Sequence, residues 1–208
     1  MCFSASASFI AGGGLIALGG ASLVIAKKED KILAAIPLLF GVQQISEGFQ
    51  WLYLNKGSSS SIAAYIFLFF AYIVWPIYVP TFVYLLDAKR RKILKWFMFL
   101  GLVVAIYFLG MLLTQHITVS RLDYCINYSY YFPFKNMVLL VYLSAIFGSL
   151  LISSHRAFRW FGVVSFILAV ISFLFFYLDF TSVWCFFAAI ISSIFFVYIY
   201  NPELLKLK

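Results

Sequence analysis

Charge is scarce in this chain. Only 11% of its 208 residues are Asp, Glu, Lys or Arg, while 65% are hydrophobic. A soluble globule of this size cannot be built from that mixture. Histidine is scarcer still, with His116 and His155 in separate loops. Two histidines so placed exclude the multi-histidine zinc centre of a membrane hydrolase and the axial ligands of a two-haem carrier. The three cysteines, Cys2, Cys125 and Cys185, show no C-x-x-C spacing, so no metal site is expected. The glycines at 12–14 follow no strand and are therefore no dinucleotide fingerprint.

Long apolar runs are what the chain has instead. Spans are expected at about 8–26, 32–54, 61–86, 93–115, 134–153, 160–178 and 181–200. Each is close to the ~20 residues that cross a bilayer. The predicted fold is an all-α, polytopic seven-transmembrane-helix bundle forming one membrane domain over the whole chain. The lipid bilayer is its first partner.

The net charge of +8 is a matter of placement. Lys27, Lys28 and Lys31 follow span one, and Lys89, Arg90, Arg91, Lys92 and Lys95 follow span three. Arg156 and Arg159 follow span five; Lys206 and Lys208 close the chain. The opposite side has Lys56, Arg121 and Lys135. The positive-inside rule then places the amino terminus outside and the carboxyl terminus in the cytoplasm, in the cell's inner membrane. Basic residues concentrated on one side of the spans do not form a nucleic-acid footprint. With no basic residue before it and three soon after, span one reads as a reverse anchor.

Local features add detail. Gly13, Ala17 and Ala21 recur every four residues, the spacing that lets another helix come close, and make the first span a candidate helix–helix interface. In span three, Pro76 and Pro80 predict a kink, with the Tyr72 carbonyl losing its partner. The loop at about 116–133 is rich in tyrosine and suits an interfacial belt. It also carries the sequon Asn127-Tyr128-Ser129, a pattern too short to weigh much. A 3+1+3 arrangement of parallel repeats fits the topology, but the two halves do not align.

One span carries an acid. At 100° per residue, Gln43, Glu47 and Gln50 fall on one stripe, flanked by Gln44 and Trp51. From the outer end near Leu54, Glu47 lies about 10 Å deep. An ionisable group at that depth faces protein or a wet cavity, which makes it a functional-site hypothesis. Low dielectric disfavours its charged form, and glutamines supply hydrogen bonds. Such a carboxyl could bind a polar ligand, couple proton movement to transport, serve as acid or base, or clamp helices together. Candidate groups at matching depth are the Tyr72 carbonyl, Tyr107, Ser144, Ser172 and Cys185, with Trp184 as an aromatic wall.

Cys2 and Cys125 both fall near the outer face, where a disulfide, two thiols or a weak zinc set with His116 are the alternatives. A Ser-His-Asp triad around His116 would require Ser4, Ser6 or Ser182 and Asp123 or Asp179. Nothing in their spacing supports it. His155 reads as a solvated loop residue.

Met1-Cys2-Phe3-Ser4-Ala5 with Ala7-Ser8-Phe9 opens the chain, and Pro37-Leu38-Leu39-Phe40-Gly41 leads to Gln43-Gln44, Glu47-Gly48 and Trp51. Phe67-Leu68-Phe69-Phe70-Ala71-Tyr72, Trp75-Pro76, Ser153-Ser154-His155, Phe161-Gly162 and 182–189 continue the pattern. In these blocks the chain resembles a family of uncharacterised small prokaryotic integral membrane proteins. The resemblance implies a shared outer-side site and names no activity or cofactor. The leading expectation is a protein that binds or transports a small molecule through a polar site in the outer half of the bundle. Its residues would be Glu47, Gln43, Gln44, Gln50, Trp51 and Trp184. The alternatives are an intramembrane enzyme acting on a lipid or lipid-linked substrate, and a membrane scaffold.

Overall fold

The computed structural model describes residues 4–122, 125–129 and 131–201. Within them, seven helices are long and apolar enough to cross a membrane: Ala5–Ile25, Lys28–Leu54, Ser61–Leu86, Ala88–Thr114, Lys135–Ile152, Arg156–Phe175 and Phe180–Tyr200. The expected spans match these to within a few residues at most ends. The second, fourth and sixth begin earlier, because Lys28–Asp30 and Ala88–Arg90 form 3-10 turns leading into their helices and Arg156 already stands in the helical register. Helices are numbered here as α1 (Ala5–Ile25), α2 (Lys31–Leu54), α3 (Ser61–Phe69), α4 (Trp75–Leu86) and α5 (Arg91–Thr114). Then come α6 (Lys135–Leu143), α7 (Ser149–Ile152), α8 (Arg156–Phe175), α9 (Phe180–Ser192) and α10 (Ile194–Tyr200).

One element beside the helices was not expected. The loop after α5 holds an antiparallel hairpin, β1 (Thr118–Leu122) and β2 (Cys125–Ser129), with Thr118 opposite Ser129. Alternating β-branched and aromatic residues such as Val119, Ile126 and Tyr128 suit a strand, and Cys125, Ile126 and Asn127 are buried.

The chain divides into two compact units. The first comprises 4–67, 117–122, 125–129 and 167–201. Its α1 starts at Ser4, whose hydroxyl accepts the Ala7 N–H at 3.2 Å, meeting one of the donors a helix start leaves over. α1 and α2 pack closely along Gly12, Gly19 and Gly41. A Cβ on Gly19 would stand 2.4 Å from the Leu38 amide nitrogen, and one on Gly41 2.8 Å from that of Ile16. The stripe expected to make this approach, Gly13, Ala17 and Ala21, is exposed, and nothing lies within 4 Å of a Cβ on Gly13. The packing face sits one residue earlier, on Ser8, Gly12, Leu15, Gly19 and Ser22. A single residue is 100° of helix, enough to turn the other stripe outward.

The second unit comprises 68–116 and 131–166. Here the prolines of span three act through a π-helical turn, Phe70–Val74, in which the Trp75 N–H reaches the Phe70 carbonyl. In that register the next amide belongs to Pro76, which has no hydrogen to give. The orphaned carbonyl is therefore that of Ala71, one residue before the expected Tyr72, and the Tyr142 hydroxyl donates to it at 2.6 Å. Pro80 likewise frees the Pro76 carbonyl, against which α5 packs so closely that a Cβ on Gly101 would lie 1.8 Å from the oxygen. Tyr72 stacks on Phe108 at 4.4 Å. At one end of this unit, buried Asp87 accepts from Ser153 Oγ (3.0 Å), Ser154 N (2.6 Å) and Ser154 Oγ (2.7 Å). His155, exposed as expected, sets its Nε2 3.1 Å from the Leu86 carbonyl, and Arg159 holds the Ser153 carbonyl at 2.8 Å.

Candidate functional site

The polar stripe of α2 is turned inward. Gln43, Gln44, Glu47 and Gln50 are fully buried, and Trp51 nearly so. Burying that many amide and acid groups on one apolar helix is expensive unless each finds a partner. Gln43 Nε2 reaches the Phe67 carbonyl at 3.5 Å, and Gln50 Oε1 accepts the Ser60 N–H at 3.3 Å. Ser46 bonds back to the Gln43 carbonyl at 2.7 Å, within its own helix.

Glu47 receives its partner from α9. Ser182 Oγ donates to Glu47 Oε1 at 2.5 Å, while Oε2 is buried without a hydrogen bond. Gln44 lies near the carboxyl, yet neither of its amide atoms makes a hydrogen bond of ordinary geometry. Gln50 Nε2 and Trp51 Nε1 are also buried and unmet. Cys185, one helical turn beyond Ser182, lies beside Gln43 and within electrostatic reach of Glu47. Trp184 stands about 200° round the helix from Ser182 and stacks on Phe180 with centroids 5.5 Å apart.

The hairpin covers the Leu54 end of this stripe. Arg121 sits over the Trp51 ring, 5.5 Å from its centroid, and its guanidinium reaches Asn55 Oδ1 at 3.4 Å. Tyr128 stacks on Phe67 at 4.9 Å, and Cys125 packs with Val183 and Phe186. The sequon asparagine is buried, with its Nδ2 donating to the Leu178 carbonyl and its Oδ1 accepting from Ser129. The nitrogen that glycosylation would modify is thus already engaged.

Of the groups expected at matching depth, Cys185 is beside the stripe. Ser172 bonds to Leu168 of its own helix at 2.8 Å, and Tyr72, Tyr107 and Ser144 belong to the second unit. Ser182 and Arg121 were missed as partners of the stripe. Ser182 had a signal, being a polar residue one turn from Cys185 in an apolar span; Arg121 had none beyond its place in the loop. The proposed Cys2–Cys125 pairing involves a residue outside those described. Among the described residues no group of three or more His, Cys, Asp or Glu side chains could hold a metal.

A family model, described as a family of unknown function (DUF6629), matches residues 1–204. The chain belongs to this family. No curated protein and no solved structure matches it. The DUF6629 match takes in α2, the hairpin and α9 alike, so every residue of the polar stripe lies within the family's extent.

Proposed function

We propose that this is an inner-membrane protein, amino terminus outside, that binds or transports a small polar molecule through the interior of its first unit. The observation that carries the reading is the α2 stripe. Polar atoms of Gln44, Glu47, Gln50 and Trp51 are buried together and unmet. A helix that only needed packing would carry apolar residues there, since unmet buried polar groups each cost about 1–3 kcal/mol. An occupant that hydrogen-bonds these groups removes the cost. Glu47 is the proton-sensitive centre, fixed in direction by Ser182. Gln43 and Gln50 are the orienting amides, and Trp51 is the wall beneath Arg121. The sided distribution of Lys and Arg puts the Leu54 end of α2, and with it the site, on the external side.

Native mass spectrometry of the full chain, released from detergent, tests this directly. A small non-lipid adduct of fixed mass on the wild type, lost in Glu47→Leu, is the expected result. Identical spectra for the two proteins would count against the site.

A further inference from the structure

The second unit has a groove of about 430 Å³ in its side. Phe97 of α5 and Phe166 of α8 line it together with Leu140, Leu143, Ser144, Phe147 and Gly148. Those five belong to α6 and the π-helical turn Ser144–Gly148 that follows it. Leu140 is 67% exposed and Phe166 45%, so the groove opens outward, where a membrane would present lipid. From Leu140 to Gly148 is about 12 Å of helix, which makes the groove a slot about 6 Å wide. A second helix, about 10–12 Å across with its side chains, is too thick for it. A single hydrocarbon chain is not.

The Gly148 end of the slot leads to positive charge. Arg159 Nη1 donates to the carbonyls of Ser153 and Ser154 at 2.8 and 3.1 Å. Its guanidinium therefore sits just past α7, about 8 Å of helix beyond Gly148, and has further N–H donors to offer. Asp87 ties a second basic segment to the same end. It accepts from Ser153 and Ser154 and immediately precedes the turn into α5, where Lys89, Arg90, Arg91 and Lys92 are exposed. Asp87 is the only Asp or Glu in 68–116 and 131–166. It is buried against those serines, so the unit has no second acid to neutralise its cations.

An apolar slot that ends in cations fits a lipid of one kind. Lipid tails are as apolar as leucine side chains, so the slot alone confers no preference among lipids. The headgroup decides, because basic residues at a membrane surface attract anionic lipids and basic pockets between spanning helices hold their headgroups. An arginine suits the phosphate through its planar fork of N–H groups.

We infer that the groove holds one acyl chain of an anionic phospholipid from the leaflet on the basic side. The phosphate lies against Arg159 and the cations at the start of α5. The inference rests on the membrane reading above and is independent of the α2 site, whose residues lie in the other unit.

The test is native mass spectrometry of the full chain in detergent, titrated with dioleoyl phosphatidylglycerol, dioleoyl phosphatidylcholine or glycerol phosphate. The two lipids share their chains; glycerol phosphate has the charge and no chain. The first phosphatidylglycerol is expected to bind about 10-fold more tightly than phosphatidylcholine, and glycerol phosphate not measurably. Ser144→Phe, which fills the slot, should weaken phosphatidylglycerol by about 10-fold. Ile106→Phe, half a turn round α5 from Phe97 and 60% exposed, should leave it unchanged. Leu140→Trp fills the slot from an exposed position and stands in if Ser144→Phe folds poorly. Arg159→Gln should reduce the preference for phosphatidylglycerol. Equal affinities for the two lipids overturn the inference, as does glycerol phosphate binding as tightly as the lipid. Unaltered phosphatidylglycerol binding in the slot variants, or an unaltered preference in Arg159→Gln, overturns it as well. Glu47→Leu should bind phosphatidylglycerol like the wild type, so failure at the slot and failure at the α2 site are read separately.

Discussion

The two units treat buried polarity in opposite ways. In the second, the polar groups taken out of water are paired: Tyr142 to Ala71, Ser149 to Ile146, and Asp87 to Ser153 and Ser154, with Ser165 Oγ the exception among the described residues. In the first, Gln44, Glu47, Gln50 and Trp51 are equally buried and keep unmet atoms, as do Ser8 and Ser22 on α1. Paired groups report a structural role, because the fold supplies the partner. Unmet groups gathered on one helix face are the observation on which the proposed binding site rests.

The sharpest ways to break this comparison begin with packing. Gly101→Ala should cost about 3 kcal/mol or more, since its methyl would overlap the Pro76 carbonyl, a backbone atom that cannot swing aside. Gly13→Ala should be nearly silent, with open space around it. Thermal melting in detergent reads both; equal effects would mean the close α4–α5 approach is wrong.

Asp87→Ala should cost about 2 kcal/mol by stranding the Ser153 and Ser154 donors. Its pH dependence has a definite sign. Burial pushes the carboxyl up, but hydrogen bonds from the Ser154 side chain and backbone and from Ser153, with His155 nearby, hold it below its ordinary value of 3.8. Its contribution is therefore complete above that ordinary value and is lost as pH falls through the lower, folded-state value. Melting temperature should drop on acidification below about pH 4 in the wild type. The drop should be smaller in Asp87→Ala, and equal acid sensitivity in the two would contradict the hydrogen-bonded turn.

Glu47→Leu should behave unlike Asp87→Ala. Replacing an acid that has an unmet oxygen with an apolar side chain changes stability by less than about 1 kcal/mol, or raises it, while abolishing ligand binding. A large loss of stability would make Glu47 a structural clamp and erase the contrast between the units. The smallest effect belongs to Arg121→Ala, about 0.5 kcal/mol, for an exposed cation resting on Trp51. Faster ligand release with little change in melting would mark the hairpin as a cover for the site.

Much of this was legible along the chain. The spans follow from apolar runs, and the stripe follows from the spacing of Gln43, Glu47 and Gln50 at 100° per residue. The hairpin was hidden in a loop read mainly for its aromatics, because five-residue strands carry a weak periodic signal. Ser182 could not be assigned to Glu47, since the two stand 135 residues apart and no local rule joins them.

Sequence alone decided that the chain carries seven long apolar spans and that one of them bears an acid among amides. Both are properties of a single segment, readable from composition and period. Tertiary structure decided which face of α1 meets α2, which carbonyl Pro76 orphans, and which oxygen of Glu47 is satisfied. Those outcomes depend on one-residue rotations of about 100° and on groups brought together from distant segments. Close packing between helices, and no feature within any one of them, selects among them.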